Sequence, residues 1–445
     1  MSDMLSIGLS GVRAYQTALT TTSENIANAG TAGYARRTAS VHEVVATSSM
    51  SSGSTSGLGV TVSGVARQAD DYRSSEVRNA SSDLARTETG ATWLERIETA
   101  LSGNKLADRL TTFFNSSKSV AADPASLAPR AAMLEAASSV ASAFAATGNA
   151  LDGAAAALDA SAEGAVTQLN SVTAALAKVN SGLGRAQPGT SGQAALLDER
   201  DRLLETMSAI TDVSVTLDVA GRATVRAGGS NGPTLVQGDQ AGFVTYVRNE
   251  GAVSLAVHRA GQTSAVTPNA GALAGIVEGA QRIADAKENI EAKAKAFAEG
   301  VNEVQGSGDD LNGDSGEPMF AIGDPSTKLT LVLTDPRGIA AAASGGGTRN
   351  NGNLAGLDSL RTTGKFEEGI NGLTTANAAA LSARRGVAQA QSAMRDAAVS
   401  ARDAVSGVNV DEEAVDLLRF QQAYQASSRV IQIARETLNS ILEIR

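Results

Sequence analysis

Apolar positions repeat with a helical period at both ends of this 445-residue chain and with a two-residue period in one central block. At the start, Leu5, Val12, Leu19 and Ile26 lie seven apart, with Gly8, Tyr15 and Thr22 at the alternate position, and turn-forming residues follow Asn28. Such a repeat keeps one helix seam facing a partner. The C-terminal segment carries the sharper pattern. Val410, Leu417, Tyr424, Ile431 and Leu438 form one column, and Phe420, Ser427, Ala434 and Ile441 the other, behind an acidic opening at Asp411, Glu412 and Glu413 that suits the positive end of a helix dipole. Short helices are marginal alone in water. The two ends could pair with each other or pack separately on the body, and in either case their folding is expected to depend on assembly.

Between the ends, helical spacing predicts helices over 70–101, 126–146, 150–180, 194–210, 271–304 and 365–405. The period changes at Asp212. Val213, Val215, Leu217 and Val219 alternate with other residues, Ala220-Gly221 supplies a turn, and a second hairpin is predicted from 243–247 and 253–257 around Asn249-Glu250-Gly251. The polar stretch 47–59 reads as loop. The expected fold is mainly α with a small β insertion: an elongated multi-domain rod with paired N- and C-terminal helices, a long helical bundle and an outer β domain. The expected division is 1–35 with 406–445, 36–211 with 269–405, and 212–268.

Composition sharpens this picture. Aromatics make up only 3% of the chain, which predicts thin, alanine-lined packing with no deep apolar pocket. A net charge of -10 argues against nucleic acid as a partner, and no apolar run is long enough to predict a membrane span. The opening Met1-Ser2-Asp3-Met4 predicts no cleavable secretory signal. With no Cys and only His42 and His258, neither thiolate chemistry nor a His- or Cys-based metal centre is expected, and no cofactor is implied.

Two local patterns touch on chemistry. Gly228-Gly229-Ser230-Asn231-Gly232 matches a nucleophile elbow, but that device needs a strand before it and a helix after it, whereas Pro233 and an extended run follow, so a β-turn is expected. Asp310-Leu311-Asn312-Gly313-Asp314 resembles the opening of a calcium loop, yet Ser315 and Ala321 stand where that loop requires Gly and Glu. A plain Asp/Asn/Gly loop is expected there. No catalytic residue is assigned, and the chain is read as a non-enzyme.

The terminal motifs carry a family resemblance. Asn25-Ile26-Ala27-Asn28 followed by Gly33-Tyr34-Ala35-Arg36-Arg37, and Asn409-Val410-Asp411-Glu412-Glu413 leading to Gln422, resemble the signatures of bacterial flagellar axial proteins, the rod, hook and hook-associated family. The block Leu196-Leu197-Asp198-Glu199-Arg200-Asp201-Arg202-Leu203-Leu204 is similar to the hook–filament junction branch, with a hook or distal rod protein as the alternative. The resemblance implies type III export without a cleaved signal, a place in the extracellular flagellum between hook and filament, and terminal helices lining an inner tube. It also implies the partners: further copies in a ring, the hook protein, a second hook-associated junction protein, and an export chaperone on the C-terminal helix. Longer relatives insert a large outer domain after the region matching 319–323, which this chain lacks.

Overall fold

The structure, a computed structural model, describes residues 2–44 and 59–443; most of the predicted 47–59 loop lies outside them. Helix α1 (Ser2–Asn28) is followed by the antiparallel hairpin β1 (Arg37–Glu43) and β2 (Val60–Arg67). Helices α2 (Asp71–Gly103), α3 (Leu106–Ala122), α4 (Leu127–Leu183) and α5 (Ser191–Ile210) come next. The Asp70 carboxylate accepts from the Tyr72 and Arg73 amides and so starts α2. After seven strands, α6 (Gly271–Gly306), α7 (Ala355–Gly364), α8 (Phe366–Ser406) and α9 (Val410–Glu443) complete the chain.

The two helices expected over 126–146 and 150–180 are one. At 57 residues, α4 extends about 85 Å at the usual rise. Thr147-Gly148-Asn149 does not break it, and Gly148 is buried where Thr327 packs closely on the helix: a Cβ at Gly148 would stand 2.5 Å from the Thr327 hydroxyl. Helices α3 and α7 were not foreseen. Along α4 lie α3, α5 and α6, while α2 packs between α6 and α8. The approach of α6 to α2 is close enough to need glycine, since a Cβ at Gly279 would collide with the Trp93 ring.

The expectation of uniformly thin packing fails at one place. Phe113 and Phe114 from α3, Phe144 from α4, Phe297 from α6, Phe320 and Phe366 converge, each almost wholly buried. Phe297 is their hub, with ring centroids 5.3 Å from Phe113, 5.5 Å from Phe320 and 5.6 Å from Phe366. Few aromatics in the composition therefore does not mean few at the centre. Beside this cluster the Arg130 side chain, 1% exposed, donates to the carbonyls of Pro124 at 2.7 Å and Ile339 at 2.5 Å, tying the start of α4 to a turn 209 residues away.

The β block forms two antiparallel sheets. One has the order β3 (Val213–Leu217), β4 (Ala223–Ala227), β5 (Thr234–Gln237), β6 (Gln240–Ala241); the other has β7 (Phe243–Asn249), β8 (Ala252–Arg259), β9 (Gln262–Val266). These sheets lie along the C-terminal half of α4. The buried Asn180 side chain brackets Ala223, accepting from its N–H and donating to its carbonyl, both at 2.8 Å, and Asn170 does the same for Val244. Val225, Val236, Leu255 and Val257 belong to the same continuous apolar cluster as the helices. The insertion thus has no separate core.

Candidate functional site: the joint between the terminal helices and the body

Helices α1 and α9 pack against each other in antiparallel fashion. Asn25 meets Glu413 near one end, and a Cβ on Gly8 would meet Ile431 near the other. On α1 the deepest line is Gly8, Gly11, Ala14, Ala18, Thr22 and Asn25, with the predicted Leu5, Val12, Tyr15, Leu19 and Ile26 half-buried beside it. The small residues let the backbones approach, and the larger ones flank the contact. On α9, Leu417, Phe420, Tyr424 and Ile431 are half-buried and Ala434 is buried. Val410, Leu438 and Ile441 are instead 48%, 40% and 54% exposed. The register explains the last two: α9 has 34 residues against 27 in α1, and with Gly8 beside Ile431 the excess falls at the C-terminal end, so Leu438 and Ile441 overhang, while Val410 is the first residue of α9.

Three distant sequence blocks meet where this pair joins the body. Asn25, 1% exposed, donates from Nδ2 to the Arg37 carbonyl at 2.8 Å and to Glu413 Oε2 at 2.9 Å. Its Oδ1 accepts from the Tyr34 hydroxyl at 2.9 Å and the Arg37 amide at 3.0 Å. Arg36 Nε completes the bracket by donating to Glu413 Oε1 at 2.6 Å, and its backbone N–H donates to the Ser406 carbonyl. Glu413 is 2% exposed, a position a carboxylate occupies only when paired and hydrogen-bonded. Burial pushes the Tyr34 hydroxyl up to about 12, against the pull of Arg37.

A second layer fastens this bracket to α5. Arg37 donates to Asp198 at 2.8 Å and stacks over the Tyr34 ring, while Arg67 reaches Asp198 at 2.6 Å and Asp201 at 2.7 Å. Arg37, Glu413, Asp198, Asp201 and Arg67 are thus residues of the joint that sequence reasoning did not single out, although four of the five stand inside the quoted motifs. The signature residues divide by role. Asn25, Tyr34 and Arg36 form the bracket; Gly33, at φ 80°, makes the turn after α1; Asn28 donates to the Glu24 carbonyl; and Asn409 accepts from the Asp411 amide at the start of α9. Asp411 and Gln422 face solvent.

The local chemical patterns sit elsewhere. Ser230 is exposed in a turn between β4 and β5, with no helix following it. In the 310–314 loop Asp310 Oδ1 already accepts from the Asn312 and Asp314 amides. Among the described residues no group of three or more His, Cys, Asp or Glu side chains is placed to hold a metal ion, and no helix is long and apolar enough to cross a membrane. The joint is an arrangement for holding helices together.

Comparison with known proteins fits that arrangement. The family profile described as the flagellar hook-associated protein FlgK helical domain matches residues 94–320, just over half of the chain. The chain belongs to the FlgK family. The C-terminal profile of the flagellar basal body rod FlgEFG proteins matches 401–444, which is the α9 region. Flagellar hook-associated protein 1 of Escherichia coli K12 is 24% identical over the full length of both chains, and that of Bacillus subtilis 168 is 24% identical over 96% of this chain and 95% of its own. The Salmonella typhimurium LT2 protein is 27% identical over 73% of this chain but only 60% of its own. Among solved structures, the flagellar hook junction protein FlgK of Burkholderia pseudomallei superposes with a TM-score of 0.50 at 22% identity, over 56% of this chain and 46% of that one, which shows a shared fold.

Proposed function

We propose that this FlgK-family chain is a structural subunit of the bacterial flagellum that joins the hook to the filament. The observation that carries the reading is the antiparallel α1–α9 pair, bracketed to the body by Asn25, Arg36 and Glu413, with apolar columns left partly open to neighbours. Copies of the chain would pack these columns into an inner tube, while the α2–α8 body forms the layer outside it. Export through the type III channel, contacts with the hook protein and a second junction protein, and chaperone binding to α9 before export belong to the same proposal.

The test is to replace Leu417 and Ile431 together with Asp in the full chain and express it in its own bacterium in place of the native gene. Leu417 and Ile431 are half-buried in the single chain, and carboxylates there would be buried unpaired only once neighbours close the seam, at several kcal/mol each, so the variant should be exported yet leave hooks without filaments. Normal filaments would overturn the seam assignment. Gold-labelled chain found along the whole hook or in the rod, rather than at the hook tip, would favour a hook or rod subunit instead.

A further inference from the structure

A groove of about 780 Å³ opens at the joint, between the 29–36 turn, the first two turns of α2, α5 and the 407–409 link from α8 to α9. Five guanidinium groups line it: Arg36, Arg67, Arg78, Arg202 and Arg402. Four are answered within the chain. Arg36 is held by Glu413, Arg67 by Asp198 and Asp201, Arg202 by Glu199, and Arg402 by Glu205 and Asp403. Arg78 is not: among the described residues it makes no hydrogen bond and no ion pair, although it is half-buried.

Of the carboxylates around Arg78, Asp201 and Glu205 are already committed, and Asp71 stands in solvent, 3.9 Å from Arg200. Asp201 spends one oxygen on Arg200 at 2.7 Å and the other on Arg67 at 2.7 Å, and Glu205 accepts from Arg402. Burial lowers the Arg78 pKa from its ordinary value, and Asp201 and Asp71 offset this only through space. A half-desolvated cation without a counter-ion destabilises the monomer. It is a donor fork on the wall of an open groove, in a chain where acidic side chains outnumber basic ones by 47 to 37.

We propose that this groove receives a carboxylate from a second copy of the chain, which pairs with Arg78 and couples neighbouring subunits at the joint. The inference rests on the assembly reading above and assigns its anchoring contact. Charge complementarity selects the occupant: among the described residues Arg78 is the one charged group on the groove without a hydrogen bond or ion pair, the carboxylates there being taken up within the chain, and copies of this acidic chain are what a ring places beside it.

The experiment uses the full chain with Arg78→Leu and Arg78→Lys, each expressed in its own bacterium without the native gene. Three quantities are read: the amount retained on isolated hooks, the amount free in the medium, and the thermal midpoint of the purified monomer. Arg78→Leu should be exported normally, melt at or above the wild-type temperature, and be retained at least tenfold less; Arg78→Lys should stay within threefold of wild type. Wild-type retention of Arg78→Leu overturns the proposal. So does a fall in its midpoint that accounts for the lost retention, which would make Arg78 structural. Identity of the occupant is read with a photo-reactive residue at Ala32, an exposed position on the groove. A covalent dimer of this chain supports the assignment, and a cross-link to the hook protein alone refutes it. If wild type itself is never retained on hooks, the assembly reading fails and this contact with it.

Discussion

The aromatic cluster under α6 and the seam between α1 and α9 are built on opposite principles. Six phenylalanines, with Phe297 as their hub, are sealed in by four helices and a strand, so that region satisfies its own apolar surface within one chain. The terminal pair buries mostly Gly, Ala, Thr and Asn, and leaves Met4, Leu9, Val415, Leu418 and Ile433 between 45% and 66% exposed. One region is finished within one chain, and the other leaves apolar surface open, as the proposed assembly requires. Breaking the first should therefore unfold the chain, whereas breaking the second should spare the fold and abolish assembly. The largest expected effect is Phe297→Ala, which removes the hub ring and leaves a cavity costing about 3–5 kcal/mol. Its thermal midpoint should drop clearly below wild type by circular dichroism, while α1–α9 variants such as the Leu417 and Ile431 pair leave the midpoint of the body nearly unchanged.

The bracket mediates between the two regions and gives the next effect in size. Glu413→Ala strands one donor of Asn25 in a nearly dry site and takes from Arg36 its closest carboxylate, leaving Asp416 at 3.6 Å and Glu412 at 3.9 Å, which together costs about 2 kcal/mol. That loss falls on local opening of the joint rather than on global unfolding. Amide exchange in α1 and the first turns of α9 should accelerate roughly 30-fold, with α4 and α6 amides unchanged. Uniform acceleration across all helices would show instead that the terminal pair and the body form one cooperative unit.

What the sequence reveals about each region follows from the range of its interactions. The heptads of α1 and α9 and the alternation in β3, β7 and β8 are local periodicities, so they could be read directly. The continuity of α4 could not, because Thr147-Gly148-Asn149 reads locally as a break, and the packing that asks for glycine there comes from Thr327, far away in the chain. Arg130 likewise looks like an ordinary surface cation until the Ile339 carbonyl is placed over it. At the joint, the family motifs pointed to Asn25, Tyr34 and Arg36, but the partner that gives them a role, Glu413, lies 388 residues from Asn25. Its acidic neighbours Asp411 and Glu412 have the same composition and face solvent, so residue type alone could not separate them.

The smallest effect is one of pH, and it separates the two regions by sign. In the body, the hydrogen bond from Arg248 holds the Asp159 carboxyl below its ordinary range, with Tyr246 adding a second. Its contribution is present above the unfolded carboxylate pKa of about 4 and is lost as pH falls through the lower folded value. Acid therefore loosens the docking of β7 on α4, and Asp159→Asn should remove that part of the acid sensitivity. At the joint the direction reverses. Tyr34 keeps its proton because burial raises its pKa to about 12 and its hydroxyl must donate to Asn25. Its contribution is present below the unfolded tyrosine pKa of about 10 and is lost as pH climbs from there through the folded value. The difference in tyrosinate absorbance between wild type and Tyr34→Phe should therefore titrate near pH 12. A midpoint at the ordinary tyrosine value would mean that the phenol is solvated, that the bracket is open in solution, and that the terminal pair swings free of the body before any neighbour arrives.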